Sequence, residues 1–181
     1  NLSKPIMKKI FKAELHHIKH FVFDVDGVMT DGTVSIDANG ELIRTMNVKD
    51  GYALKVALQS GYGIGIITGG TNKAVKDRLK ALGITDIFLG AHDKATVLKE
   101  YLEDYGINPE KTLYMGDDLP DLPAMQLCRL ATCPQDAVPE IKEKADYISH
   151  IHGGEGCVRD VIEQVLKVNG HWNNDSTITS A

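Results

Sequence analysis

Asp24 and Asp26 stand two residues apart behind the apolar run Phe21-Val22-Phe23, and Gly27 follows to let the chain turn at once. Side chains at i and i+2 of an extended segment point to the same side, so two ionised carboxylates there repel each other and require a divalent cation or a shared proton. An oxygen-only ligand set favours Mg²⁺. An isolated Asp-x-Asp-Gly is usually a surface turn or a helix cap. Here, however, three more reactive groups follow: Thr68-Gly69-Gly70, Lys94, and Gly116-Asp117-Asp118-Leu119-Pro120-Asp121. Thr68 closes an apolar stretch, where its hydroxyl and the Gly69 amide can donate to an anion; the plainer reading is a cap on the next helix. Lys94 opens a helical pattern, where a cation opposes the helix dipole unless an anion is close. Asp117 directly follows an apolar strand and is the metal candidate, whereas Asp118 and Asp121 read as caps or turn formers, with Asp121 expected to orient Lys94 or water ligands.

The elements that must position these groups alternate. Phe21 begins a buried strand; Thr33 to Ile36 and Glu41 to Val48 form a hairpin closed by Asp37-Ala38-Asn39-Gly40, with Asn-Gly supplying positive φ. A helix from Gly51 ends at Gly61, and strand Gly63 to Thr68 follows. Helix Asn72 to Leu82, strand Asp86 to Leu89, helix Lys94 to Tyr105 and strand Thr112 to Gly116 continue the pattern. Then come helix Pro123 to Leu127, strand Leu130 to Cys133, helix Val138 to Lys144, strand Tyr147 to Ser149 and the closing helix Val158 to Val168. Such alternation predicts an α/β fold, a three-layer parallel sheet with helices on both faces, Rossmann-like, and ligands at the carboxyl ends of its strands. Gly63-x-Gly65 lies inside a strand and lacks the third glycine, so it is no dinucleotide fingerprint. His150-x-His152 around a loop reads as surface histidines.

The chain has 181 residues, 43% hydrophobic and 25% charged, which fits a single domain spanning 1–181 with a core over about 19–168, a flap over about 31–48 and a tail over 169–181. A net charge of −5 with scattered Lys and Arg excludes a broad nucleic-acid surface. No apolar run reaches the ~20 residues of a membrane span, and the Lys8-Lys9-Ile10-Phe11-Lys12 region lacks the apolar core of a secretion signal. Cys128, Cys133 and Cys157 lack metal-ligand spacing and read as buried thiols of a cytoplasmic protein.

From Phe21 to Val168 the four motifs resemble, in order and spacing, those of the haloacid dehalogenase superfamily of phosphatases. That resemblance implies that Asp24 attacks phosphorus and that Asp26 protonates the departing alkoxide and later takes a proton from water. It also implies Mg²⁺ held by the Asp24 side chain, the Asp26 backbone carbonyl and Asp117, with Thr68 and Lys94 completing the catalytic set. Only a hairpin fits between Asp26 and the helix at Gly51, which resembles the capless class, with no cap domain; a homotetramer is then expected to cover the substrate.

The closer resemblance is to the 3-deoxy-D-manno-octulosonate 8-phosphate phosphatase family, through residues 24–32, Asn47-Val48-Lys49-Asp50-Gly51, and Gly153-Gly-Glu-Gly-Cys-Val-Arg-Asp160. It implies a phosphorylated sugar-acid substrate of lipopolysaccharide precursor synthesis, contacted by Asp26, Asn47, Val48, Lys49, Asp50, Gly51, Lys55, Gly69, Gly70, Arg78 and Lys94. Taken singly, Lys49, Lys55 and Arg78 read as solvated charges. Gly153 to Gly156 reads as a flexible loop and, by resemblance, as the start of a tail that packs near a neighbouring subunit's site. Family members often carry Arg after Thr-Gly where this chain has Gly70, so one substrate cation is expected to be missing. A nine-carbon sugar acid 9-phosphate is the alternative substrate; a phosphoacceptor or interaction module is the competing class.

Overall fold

The computed structural model describes residues 10–172. Lys8, Lys9 and the tail beyond Trp172 lie outside the described residues. Six parallel strands form the main sheet: β1 (His20–Phe23), β4 (Gly63–Ile67), β5 (Asp86–Phe88), β6 (Thr112–Met115), β7 (Leu130–Cys133) and β8 (Tyr147–Ile148), in the order β5-β4-β1-β6-β7-β8. β2 (Ser35–Ile36) and β3 (Leu42–Ile43) make the separate antiparallel hairpin. The chain winds outward from β1 through β4 to β5 and then returns to β6 on the other flank of β1, which makes the carboxyl end of β1 the switch point where such sheets bind ligands.

β1 is buried throughout, and its side chains alternate between the two faces. Phe21 and Phe23 pack with α2 (Val48–Gln59), α3 (Lys73–Ala81) and α7 (Cys157–Val168), while Val22 packs with α4 (Lys94–Asp104), α5 (Leu122–Met125) and α6 (Pro139–Lys144). The three layers follow from this. In α7 the buried set Val158, Val161, Ile162, Val165 and Leu166 repeats at helical spacing, and each such side chain contributes roughly 1.5–3 kcal/mol when fully buried.

Several boundaries differ from the sequence reading. Helix α2 begins at Val48 rather than Gly51, because the Asn47 side chain caps it, accepting from the amides of Lys49 at 2.8 Å and Asp50 at 3.4 Å. In the hairpin turn Gly40 has φ +78°, and Asn39 does not share that conformation, so the turn is not of the Asn-Gly type expected. Asp37 closes it instead, its Oδ1 accepting from the amides of Asn39 and Glu41. A short helix α1 (Phe11–Glu14) was not expected; Phe11 stacks on Tyr147 with ring centroids 4.2 Å apart, and this contact rather than any cap holds it.

The Gly153–Gly156 segment is packed rather than loose. The Gly154 amide donates to the Val28 carbonyl at 3.0 Å, the Gly153 amide to Asp136 Oδ1 at 2.9 Å, and the Asn47 amide group to the Gly154 carbonyl at 3.2 Å. A Cβ at Gly153 would collide with the Gly27 carbonyl, so two backbones touch here. Gly63 and Gly65 likewise make room: side chains there would run into the His20 and Tyr101 rings, which join through a 2.8 Å hydrogen bond.

Candidate active site

Three strands deliver the site from their carboxyl ends. Phe23 pairs with Ile66 of β4 and Met115 of β6, so Asp24, the next residue, emerges between both neighbours, its amide donating to the Met115 carbonyl at 3.1 Å. Thr68 follows β4 and is buried; its Oγ1 accepts from the Gly70 amide at 3.2 Å. It is not the cap of α3, since Asn72 fills that role through the Val75 amide. Asp117 follows β6 one residue after Gly116, and its carboxylate lies over Gly27, where any Cβ would collide with it.

Lys94 opens α4 and is 6% exposed at its side chain, with Nζ 3.0 Å from Asp24 Oδ1 and 2.8 Å from Asp121 Oδ1. Those two anions offset the unfavourable helix end. Burial pulls the lysine down, but Asp24 and Asp121 outweigh it and leave its pKa raised. Asp121 is fully engaged: Oδ1 also accepts from the Tyr114 hydroxyl at 2.8 Å, and Oδ2 from the amides of Asp117 at 3.0 Å and Asp118 at 3.4 Å. Asp118 in turn caps the helical turn Leu119–Asp121. Asp121 therefore fixes both Lys94 and the Asp117 backbone.

Among the described residues, oxygens of Asp24, Asp117 and Asp121 all lie within 4.8 Å of one another. Burial, then the Asp121 charge, hold Asp24 well above the usual carboxylate range despite Lys94, and the same two causes push Asp117 up to about 7. Crowded carboxyls with oxygen donors only, short of positive charge, are a donor set that fits a hard divalent cation. With Asp121 saturated, the oxygens left to meet one belong to Asp24 and Asp117.

The i, i+2 spacing places the Asp26 carboxylate on the same side as that of Asp24, yet it is not among the clustered acids. It turns outward to Arg44, whose Nε and Nη2 reach its two oxygens at 2.6 and 3.0 Å. Only its backbone carbonyl remains for the metal role. A cleft of about 1010 Å³ opens over the site, lined by Asp24, Asp26, Thr68, Gly69, Gly70 and Lys94 among others. Asn47, Val48, Lys49, Asp50, Gly51, Lys55 and Arg78 do not line it. Asn47 is spent as a cap, Lys49 is exposed, and Asp50 is buried, accepting from the Arg159 amide at 2.9 Å. Val48 and Arg78 face a second groove of about 550 Å³ between the hairpin and α3. Sequence reasoning missed Arg44 and His92, which do line the cleft. His92 stands two residues before Lys94, a usable signal; Arg44 offered none.

Residues 83–159 match the family model of haloacid dehalogenase-like hydrolases, the class that the parallel sheet and its strand-end acids define. The chain is 41% identical over 159 residues to the 3-deoxy-D-manno-octulosonate 8-phosphate phosphatase KdsC of Salmonella typhi, covering 88% of this chain and 84% of that one. It superposes on the 3-deoxy-D-manno-octulosonate 8-phosphate phosphatase structure from Yersinia pestis with TM-score 0.89 at 35% identity, covering 94% and 91% of the two chains. The enzyme of that name from Moraxella catarrhalis, solved in complex with magnesium ion, phosphate ion and KDO, gives TM-score 0.83 at 36% identity over 86% and 90%. The chain belongs to the 3-deoxy-D-manno-octulosonate 8-phosphate phosphatase family.

Proposed function

We propose that the protein is a Mg²⁺-dependent phosphomonoesterase that hydrolyses 3-deoxy-D-manno-octulosonate 8-phosphate to the free sugar acid and phosphate. The observation that carries this is the buried Asp24 carboxylate at the end of β1, held by Lys94 beside Asp117. Asp24 attacks phosphorus while the bond to the sugar oxygen breaks, and Asp26 gives that oxygen its proton. Water then attacks the aspartyl phosphate, Asp26 takes the proton, and Asp24 is restored. Thr68, the Gly69 amide and Lys94 hold the phosphoryl oxygens, and Asp121 keeps Lys94 aimed. Asp24, the Asp26 carbonyl and Asp117 would hold Mg²⁺, which would supply the positive charge that screens a dianionic phosphate from the anionic nucleophile.

The cleft is open and roomy enough to admit a phosphorylated sugar acid of either eight or nine carbons. Phosphate release from a panel of eight-carbon and nine-carbon acid phosphates tests the substrate assignment. The octulosonate ester is expected to have the highest kcat/KM; preference for a nine-carbon ester overturns that choice. We also place the protein in the cytoplasm as a single domain forming a homotetramer. Support comes from the apolar hairpin side chains Ile36 and Ile43, 72% and 52% exposed, and from three buried cysteines, with no disulfide among the described residues. Light scattering that returned a monomer would remove the tetramer.

A further inference from the structure

Arg44 lies just beyond β3, and its charged side chain is only 8% exposed. Its guanidinium forks onto Asp26 at 2.6 and 3.0 Å, and it also stands over Gly70. A Cβ on Gly70 would meet Arg44 Nη2 at 3.2 Å and Thr68 Oγ1 at 3.5 Å. The guanidinium and the Thr68 hydroxyl thus flank one point in the cleft, the space into which any side chain at position 70 would grow. A planar fork that fits a carboxylate fits phosphoryl oxygens equally well.

We propose that Arg44 is a phosphoryl-binding residue: its guanidinium turns from Asp26 onto the phosphoryl group beside Thr68, and Gly70 is the room that lets it stand there. This rests on the phosphatase reading and deepens it. Gly70 is then the complement of Arg44: the space a side chain at position 70 would take is left to a guanidinium delivered by the hairpin.

Calorimetric titration of the protein with inorganic phosphate in the presence of Mg²⁺ tests the proposal without depending on which sugar acid is the substrate. Arg44→Gln is expected to weaken phosphate binding on the order of tenfold to a hundredfold, the range for a charge-assisted hydrogen bond. Adding Gly70→Arg to that variant, with the space now vacated, is expected to restore affinity to within about threefold of wild type. Unchanged affinity in Arg44→Gln overturns the proposal. So does a loss that Gly70→Arg does not repair, because Arg44 would then act only by holding the hairpin or Asp26. Wild-type protein that neither binds phosphate nor hydrolyses an aryl phosphate overturns the phosphatase reading itself, and this proposal with it.

Discussion

Lys94 Nζ lies 3.0 Å from Asp24 Oδ1, a cation from the start of a helix touching a carboxylate from the end of the central strand, with both side chains under 8% exposed. A buried ion pair adds little net stability, but removing one partner leaves the other uncompensated. Lys94→Met would strand Asp24 and Asp121 together. We predict a loss of about 3–5 kcal/mol in urea unfolding, with turnover abolished, and a partial recovery of stability on adding Mg²⁺. A variant as stable as wild type without the cation would show that the acids had relaxed apart.

Asp50 gives a pH signature away from the cleft. Burial pushes its carboxyl up to about 6 against the opposing Arg159 amide, and its Oδ2 has no hydrogen-bond partner. The folded carboxyl keeps its proton to about pH 6, whereas the unfolded one releases it near 3.8, so the fold loses stability as pH rises through that window. The span corresponds to about 3 kcal/mol at most. Asp50→Asn should abolish this component, gaining on wild type at pH 8 relative to pH 4.5 in urea midpoints. A difference between the two proteins that stays constant with pH would rule out the titration.

Gly153 and Gly40 separate close approach from backbone conformation. Gly40 has φ +78° with open space around it, so Gly40→Ala should cost about 1 kcal/mol through the left-handed backbone alone. Gly153→Ala meets the Gly27 carbonyl and must move one of two packed segments, so its cost should exceed that of Gly40→Ala, about 2 kcal/mol or more. It should also lower turnover, since Gly27 adjoins Asp26. Equal unfolding midpoints for the two variants would contradict the packing described.

The sequence made legible whatever depends on position along a strand. Asp24, Thr68 and Asp117 stand at or just past strand ends, and a parallel sheet brings such ends together by construction. Lys94 was legible for a second reason, a cation at a helix start that needed an anion. What lay hidden depends on contacts between distant segments. Arg44 reaches Asp26 only because the hairpin folds back over Gly70, and no periodicity encodes that. The Asn47 side chain caps α2 and Asp50 ties α2 to α7, two local roles that the motif around them does not spell out. The Gly153–Gly156 stretch looked loose because glycine frees a backbone in water, whereas here it lets one backbone press on another.

The most direct test is phosphate release from 3-deoxy-D-manno-octulosonate 8-phosphate by wild type and Asp24→Asn, each with Mg²⁺ and with excess chelator. Wild type with Mg²⁺ should turn over, and chelation should stop it. Asp24→Asn, folded by circular dichroism, should lose at least about 10³-fold in kcat, as expected on removing a nucleophile. Turnover by Asp24→Asn within tenfold of wild type would mean that another group attacks phosphorus.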